Sequence, residues 1–197
     1  MHVSSLSRIP TYLGRPRPWL VCVDLQREYV VPGRPLYEET AARVAGACRC
    51  VLDHARSNRW RIVHTQRRPA AEPSMESRHF GSPIEGLRPL VSEPVFVRRG
   101  LSAFSNPGFT EEMRRALGEE VYLIGFSFNN TCLATAFAAF DMGLSLTVVD
   151  DAMGVSPCAD LSTARAGEFA VAILKPFVRF ASSREVIDAE AEFEYVQ

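Results

Sequence analysis

The feature that most constrains the fold is a series of short, continuous apolar runs separated by helix-like segments. Six runs are strand candidates: "WLVCVD" (19–24), "RIVHTQ" (60–65), "PVFVRR" (94–99), "VYLIGF" (121–126), "LSLTVVD" (144–150) and "FVRFAS" (177–182). Helical periodicity lies between them, at 37–57, 110–117, 130–142 and 161–174. Continuous apolar strands are typical of sheets covered on both faces. The pattern therefore predicts an α/β fold with a parallel sheet between helices.

Length and charge limit the number of domains and the kind of partner. The chain has 197 residues, of which 47% are hydrophobic, enough for one substantial core. We expect an N-terminal extension over 1–16 and a single domain over 17–197. A net charge of −1 offers no broad basic surface, so we expect no nucleic-acid and no membrane partner. A small-molecule substrate fits this composition.

Targeting, cysteine and cofactor signals are weak. The first residues show neither a secretory signal nor a membrane-spanning run, which favours a cytoplasmic location. The five cysteines lack disulfide or zinc spacing, and Cys22, Cys48 and Cys50 are predicted to be small apolar filler, buried or half-buried. His64 and His79 lack metal-ligand spacing, and no glycine-rich nucleotide motif is present. We therefore expect no metal and no cofactor.

One segment, 66–93, has no clear period and contains four prolines and two glycines. It is predicted to be a long excursion from the alternating pattern. Excursions of this length often act as lids or oligomer contacts.

Open α/β sheets bind ligands outside the carboxyl ends of their strands. Asp24 ends the first strand, Arg98 and Arg99 end the third, and Thr131 and Cys132 follow the fourth. A carboxylate beside a buried strand is costly without partners, so Asp24 is either a site residue or a cap. The two arginines point to opposite sides by alternation, so only one faces the crevice, and a surface ion pair is the alternative for either.

The turn "GFSFNNTCLATA" leads from the fourth strand into an alanine-rich helix. Its residues Ser127, Asn129 and Asn130 are plausible caps. A helix N-terminus of this kind presents free N–H groups to an anion or a developing oxyanion. An ordinary capped turn is the alternative.

Taken together, these segments resemble the isochorismatase-like hydrolases, a family that includes nicotinamidases and N-carbamoylsarcosine amidases. The resemblance covers roughly residues 17 to 187 and is carried by "VCVDLQREY", "FVRRGLSAF", "GFSFNNTCLATA" and "GLSLTVVDDA". It implies a three-layer, doubly wound, six-stranded parallel sheet with helices on both faces. It also implies a catalytic triad of aspartate, lysine and cysteine.

This sequence departs from the triad at two of its three positions. Asp24 matches the aspartate, but Arg98 occupies the lysine position and Thr131 the cysteine position, with Cys132 one residue late. One residue on an α-helix rotates a side chain by about 100°, so Cys132 is predicted to point into packing. A threonine hydroxyl is a poor nucleophile without a strong base, and an arginine cannot shuttle a proton.

Isochorismatases within the family carry a glycine at the nucleophile position and use the aspartate as a general acid on a vinyl ether. By that resemblance, Asp24 is predicted to act as the acid on a small, anionic substrate. Arg98 is then expected to bind a substrate carboxylate, and Thr131 to orient water or substrate. Two alternatives remain: an amidase with Cys132 as nucleophile on a remodelled turn, and a catalytically decayed binding or scaffolding protein.

Other positions follow from the same resemblance. Gln26, Phe104 and Asn129 are expected to line the pocket, with solvent contact, core packing and helix capping as their respective alternatives. A cis bond between Phe126 and Ser127 is expected to aim backbone N–H groups at the site. A homodimer or homotetramer is expected, with "PIEGLRPLVSEP" and "EFEYVQ" as possible contacts.

Overall fold

The six predicted apolar runs form one sheet. The computed structural model describes residues 17–68 and 75–194, so the predicted extension 1–16, Pro69 and Pro73, and the last residues of "EFEYVQ" lie outside the described residues. All strand pairs are parallel, in the order β3-β2-β1-β4-β5-β6. The strands are β1 Trp19–Val23, β2 Arg61–Arg67, β3 Val95–Arg98, β4 Glu120–Gly125, β5 Ser145–Met153 and β6 Arg179–Ala181. The predicted six-stranded parallel sheet is confirmed.

Helices cover both faces of this sheet. They are α1 Ala41–Ser57, α2 Met75–Phe80, α3 Pro107–Arg114, α4 Leu133–Asp141, α5 Thr163–Leu174 and α6 Ser183–Glu194. Buried residues of α1 and α6 form one core with the sheet, and buried residues of α3, α4 and α5 form the other. The three-layer, doubly wound architecture follows. None of the helices described here is long and apolar enough to cross a bilayer.

Some helix boundaries differ from those predicted from the sequence. The helix predicted over 37–57 begins only at Ala41, and the one predicted over 130–142 begins as a π-helical turn at Phe128–Cys132. Helix α3 begins earlier than predicted because Asn106 caps it. The Asn106 Oδ1 atom accepts hydrogen bonds from the N–H groups of Gly108 and Phe109, and Pro107 occupies the first helical position. Helices α2 and α6 were missed. Helix α2 lies inside the 66–93 excursion, which therefore is not irregular throughout.

The cores confirm most of the packing predictions. Cys22 and Cys48 are buried as expected, and Trp19 and Trp60 are buried as well. Cys50 is a correction, because it is exposed rather than buried or half-buried. Helix α1 turns its Cys48 side to the sheet, and a residue two positions further along a helix lies on a different face.

The strand order places the ligand crevice. From β1 the chain proceeds outward to β2 and β3, then returns to the other side of β1 for β4, β5 and β6. The direction of winding therefore reverses between β1 and β4, and in open α/β sheets ligands bind at the carboxyl ends of the strands at such a point. Asp24 directly follows β1, and Phe126 directly follows β4.

Candidate active site

A buried ion pair lies at the carboxyl edge of the sheet. Arg98 Nη2 donates to Asp24 Oδ2 at 2.5 Å, and both side chains are fully buried. Arg98 Nη1 donates to the carbonyl oxygen of Gly100 at 2.8 Å. Arg99 is exposed, so alternation along β3 sends Arg98 inward and Arg99 to the surface. The structure thus brings Asp24 and Arg98 together, as the sequence predicted.

The backbone of Asp24 is itself unusual. Its φ is 51°, in the left-handed region that few non-glycine residues adopt. The N–H of Asp24 still donates to Thr65 O at 3.0 Å, so the residue continues the β1–β2 ladder by one bond before the chain turns away. Left-handed backbone of this kind is retained where the surrounding structure fixes it, and it clusters at functional sites.

Two influences act on the acidity of Asp24 in opposite directions. Burial raises the pKa of Asp24 above its usual value, whereas the positive charge and hydrogen bond of Arg98 lower it. Burial is the larger influence, and the net shift is upward. The Asp24 Oδ1 atom is buried without a hydrogen-bond partner, as is Arg98 Nε.

Tyr29 is a site residue that the sequence reasoning missed. Its hydroxyl donates to Asp24 Oδ2 at 3.3 Å, and its ring stacks on Phe126 with centroids 5.2 Å apart. Burial, together with the negative charge of Asp24, raises the pKa of Tyr29, so the phenol stays a donor. The available signal was an aromatic residue five positions after the strand-end aspartate, within the quoted segment "VCVDLQREY".

Residues 125–132, here called the site turn, carry both candidate nucleophiles. The turn contains a π-helical segment, Phe128–Cys132, in which the N–H of Cys132 bonds the Ser127 carbonyl five residues back, at 3.1 Å. A π-helical turn holds one more residue than an α-helical turn and often occurs at functional sites. The turn is therefore remodelled relative to the plain helix start that the sequence predicted.

The predicted cis bond between Phe126 and Ser127 is wrong. Within the described residues every peptide bond is trans. The chain instead reverses direction through two unusual residues, Gly125 with φ of 140° and Ser127 with φ of 65°. These left-handed conformations produce a sharp strand-to-helix turn without a cis bond.

Thr131 and Cys132 are both buried, at 1% and 0% exposure. The Cys132 thiol donates to Phe126 O at 3.2 Å and packs in the core shared with α3, α4 and α5. Burial, and to a smaller extent the charge of Asp24, raise the pKa of the Cys132 thiol well above its usual value. These contacts agree with the expectation that Cys132 points into packing.

Thr131 is fixed through its backbone. Its carbonyl oxygen accepts a hydrogen bond from Thr135 Oγ1 at 2.7 Å, and the same Oγ1 accepts from the N–H of Ala103 at 3.0 Å. Thr135 therefore connects the site turn to the segment that follows Arg98.

The remaining pocket candidates are engaged with the protein itself. Gln26 is 4% exposed, so solvent contact does not describe it, and its amide bonds the backbone of Gly81 and Arg67. Asn129 pairs with both backbone groups of Ser156 rather than capping a helix. Phe104 packs edge-on against Phe109 with ring centroids 5.0 Å apart, so it takes part in core packing, the alternative to lining the pocket.

The segment after Asp24 is held by a short antiparallel contact. Ile84 N donates to Leu25 O, and Arg27 N donates to Ser82 O, both at 2.9 Å. With Gln26 paired opposite Pro83, these bonds fasten the far end of the 66–93 excursion beside the crevice. Because Asp24, Arg98 and Thr131 are at most 2% exposed, the structure shows the site in a closed arrangement.

His64 has a structural environment. Its Nε2 lies 2.9 Å from Glu93 Oε2, and Arg56 holds the same carboxylate through two hydrogen bonds. Burial acts against ionisation of Glu93, but these hydrogen bonds outweigh it and lower its pKa to about 2. Over the described ranges, no cluster of three or more metal-ligating side chains occurs.

The fold and the site together define a doubly wound α/β protein with a closed, carboxylate-containing crevice at the carboxyl edge of its sheet. The family model for the isochorismatase domain matches residues 18–185, and the chain belongs to that family. A comparison with curated proteins found no match.

Solved structures share the fold. A hydrolase of the isochorismatase family from Chromobacterium violaceum superposes with a TM-score of 0.80 at 19% identity, covering 90% of this chain and 95% of that one. An isochorismatase from Pseudomonas putida gives 0.74 at 23% identity, covering 86% and 90%. N-carbamoylsarcosine amidase from Thermoplasma acidophilum gives 0.67 at 21% identity, covering 85% and 96%. At these identities the likeness concerns the fold alone.

Proposed function

We propose that the protein is a hydrolase of a small, anionic substrate in which Asp24 acts as the general acid and no cysteine nucleophile takes part. The observation that carries this proposal is that the Asp24 carboxyl group is fully buried and its Oδ1 has no hydrogen-bond partner, and this burial raises its pKa in spite of the contact with Arg98. A general acid must hold its proton near the working pH, and burial moves a carboxyl group toward that condition.

The surroundings of Cys132 support a mechanism without a thiolate. The reactive form of cysteine is the thiolate, which is favoured by nearby positive charge and solvent access. Cys132 is fully buried and uses its S–H on the Phe126 carbonyl, and burial raises the pKa of its thiol although the charge of Arg98 opposes this shift. Threonine nucleophiles usually depend on a strong adjacent base, and within the described residues no hydrogen bond joins the Thr131 hydroxyl to a basic group.

The chemistry that fits these groups is hydrolysis of a vinyl ether. Asp24 donates its proton to the terminal vinyl carbon, and water adds to the adjacent carbocation. The resulting hemiketal breaks its C–O bond to give an alcohol and a ketone, and the proton lost by water restores Asp24. Thr131, which is buried in the site turn, is assigned to orient the water or the substrate.

Arg98 takes a different part from the one expected of it. Both of its terminal nitrogens already have protein acceptors, Asp24 and Gly100, and its side chain is fully buried. We therefore assign Arg98 to holding Asp24 and to stabilising the charge of Asp24 after proton transfer. The substrate carboxylate is then bound by a different group, which becomes exposed when the site opens. Because Asp24 is enclosed, turnover requires that the site opens.

A screen of enol ethers, amides and ureas with carboxylate groups tests this function. The wild type is expected to hydrolyse an enol ether, and Asp24→Asn is expected to lose about 10²-fold or more of the rate. Cys132→Ala should keep the rate within a few-fold, and Glu111→Gln on the surface of α3 controls for substitution of an acidic residue. Loss of turnover in Cys132→Ala, with an amide or urea rather than an enol ether as the substrate, would instead establish the amidase alternative on the remodelled turn.

The closed arrangement also favours a second candidate, a binding or scaffolding protein without catalysis. Its support is that Asp24, Arg98, Thr131 and Cys132 are all at most 2% exposed. Wild type would then hydrolyse none of the compounds. The double variant Arg98→Lys/Thr131→Cys would gain amidase activity from none, because it restores the triad implied by the resemblance.

A further inference from the structure

A second buried carboxyl group lies at the carboxyl edge of the sheet and takes no part in the proposed reaction. Glu38 precedes α1 and is 2% exposed. Its Oε2 accepts a hydrogen bond from the N–H of Val155 at 2.6 Å, whereas its Oε1 is buried without a partner. A buried polar atom without a partner is rare enough in native proteins to require an explanation.

The contact partner of Glu38 belongs to a segment that holds the site turn. Residues 154–156, here called the β5 loop, follow strand β5. Gly154 N donates to Gly125 O at 2.8 Å, and Phe128 N donates to Gly154 O at 2.6 Å. Ser156 exchanges two hydrogen bonds with the Asn129 side chain, at 3.0 and 3.1 Å. The β5 loop is therefore bonded to the site turn on one side and to Glu38 on the other.

Packing leaves little freedom in this contact. A Cβ built on Gly154 would lie 2.1 Å from Glu38 Oε1 and 2.4 Å from the Phe126 ring. Glu38 and Phe126 therefore meet at the α-carbon of Gly154, which only glycine allows. Phe126 also stacks on Tyr29, the residue whose hydroxyl contacts Asp24. A change at Glu38 thus has a contiguous path to the catalytic carboxyl group.

We propose that Glu38 is a positioning residue that keeps the site closed: its neutral form holds the β5 loop against the site turn, and its ionisation favours opening of this region. Opening would give the unpaired Oε1 atom a hydrogen-bond partner in water and would uncover the site turn. The catalytic consequence of opening rests on the proposed function, but the positioning role itself does not.

The ionisation behaviour of Glu38 supports this role. Burial raises the pKa of Glu38 to about 7, against the opposing hydrogen bond from Val155 and the charge of Arg43. The other titratable groups in electrostatic reach are the thiols of Cys48 on α1 and Cys132 on the site turn, whose own pKa values are raised by burial. These thiols stay neutral at the pH values concerned, so of these three groups Glu38 is the one that titrates.

The sign of the effect follows from linkage. The native pKa of Glu38 lies above its ordinary value of 4.5, so the closed state binds the proton more tightly than an open, hydrated state does. The stabilisation of the closed state is complete below the ordinary pKa and is lost as the pH rises to about 7. Between these values, each pH unit multiplies the open population by up to about tenfold.

Hydrogen exchange of the site turn tests this inference without any substrate. In wild type, after correction for the intrinsic exchange rate, the amides of Phe128 and Cys132 should lose protection as the pH rises from 5 to 8. In Glu38→Gln, which keeps the shape and removes the charge, protection should not vary with pH. Glu119→Gln is the matched control, because Glu119 also accepts a side-chain hydrogen bond, from Trp19, but lies before β4 at the opposite edge. It should behave as wild type.

A titration of wild type covers the case in which Glu38→Gln fails to fold. Carbon NMR of the glutamate carboxyl groups should show Glu38 titrating near pH 7, above its ordinary value of 4.5. Titration near its ordinary value, or equal pH dependence of exchange in wild type and Glu38→Gln, would overturn the inference. If the turn opens as described and no substrate is hydrolysed, only the proposed function fails.

Discussion

Arg98 Nη2 lies 2.5 Å from Asp24 Oδ2, and neither side chain reaches solvent. The pair joins the end of the central strand β1 to the end of the edge strand β3, across β2. Such a pair has a large desolvation cost that its attraction must offset. Its presence at the crevice rather than on the surface agrees with the proposed role of Arg98 in holding Asp24 in place.

Removal of one partner from this pair is expected to be strongly destabilising. Arg98→Met leaves a carboxyl group buried without its positive partner, and the free energy of unfolding should fall by about 3–5 kcal/mol, measured by urea denaturation. Arg114→Met, which breaks an exposed pair with Glu111, should cost less than about 1 kcal/mol. The double variant Asp24→Asn/Arg98→Met should cost clearly less than the sum of its single variants. Strict additivity would show that the two groups do not interact.

The raised pKa of Asp24 predicts the direction of a pH effect on stability. Because the native pKa lies above the ordinary 3.8, the folded state binds this proton more tightly than the unfolded state does. The resulting stabilisation is complete below the ordinary pKa and is lost as the pH rises through the native one. We expect the free energy of unfolding of wild type, relative to Asp24→Asn, to decrease from pH 3.5 upward. An increase over the same range would mean that Arg98 outweighs burial.

Cysteine reactivity should follow burial rather than position beside the site. Cys50 and Cys158 are exposed, whereas Cys22, Cys48 and Cys132 are buried. Iodoacetamide at pH 8 should therefore label Cys50 and Cys158 in the native protein, and all five cysteines only in denaturant, as measured by peptide mass spectrometry. Rapid native labelling at Cys132 would contradict the inert thiol and return the nucleophile to that residue.

Regular features of the site were predictable because they repeat or obey simple geometry. Continuous apolar runs identified all six strands, and the strand-end rule selected Asp24. Alternation limited the choice to one of Arg98 and Arg99, and the structure shows that Arg98 is the buried one. These inferences depend only on residues that are neighbours in the sequence, so the sequence alone is sufficient for them.

Contacts between distant segments were not predictable. Glu38 meets Val155 across 117 positions, and its sequence surroundings resemble an exposed helix start. The π-helical turn depends on hydrogen bonds to the β5 loop, a tertiary contact that leaves no periodic pattern. Tyr29 reaches Asp24 because the chain turns back through a left-handed Asp24, a backbone state with no fixed sequence signature.

Gly125 is the backbone position on which the site turn depends most. Its φ is 140°, and a Cβ at this position would lie 2.0 Å from the Val23 carbonyl oxygen. Gly125→Ala should therefore push β4 away from β1 and reduce the free energy of unfolding by more than about 3 kcal/mol, or prevent folding altogether. Gly143→Ala is the matched control, since Gly143 has φ of 77° but no atom within 4 Å of the added methyl group. It should cost only about 1 kcal/mol, from backbone strain alone. Urea denaturation of the two variants measures the difference, and equal costs would show that the close approach of β1 and β4 does not constrain the turn.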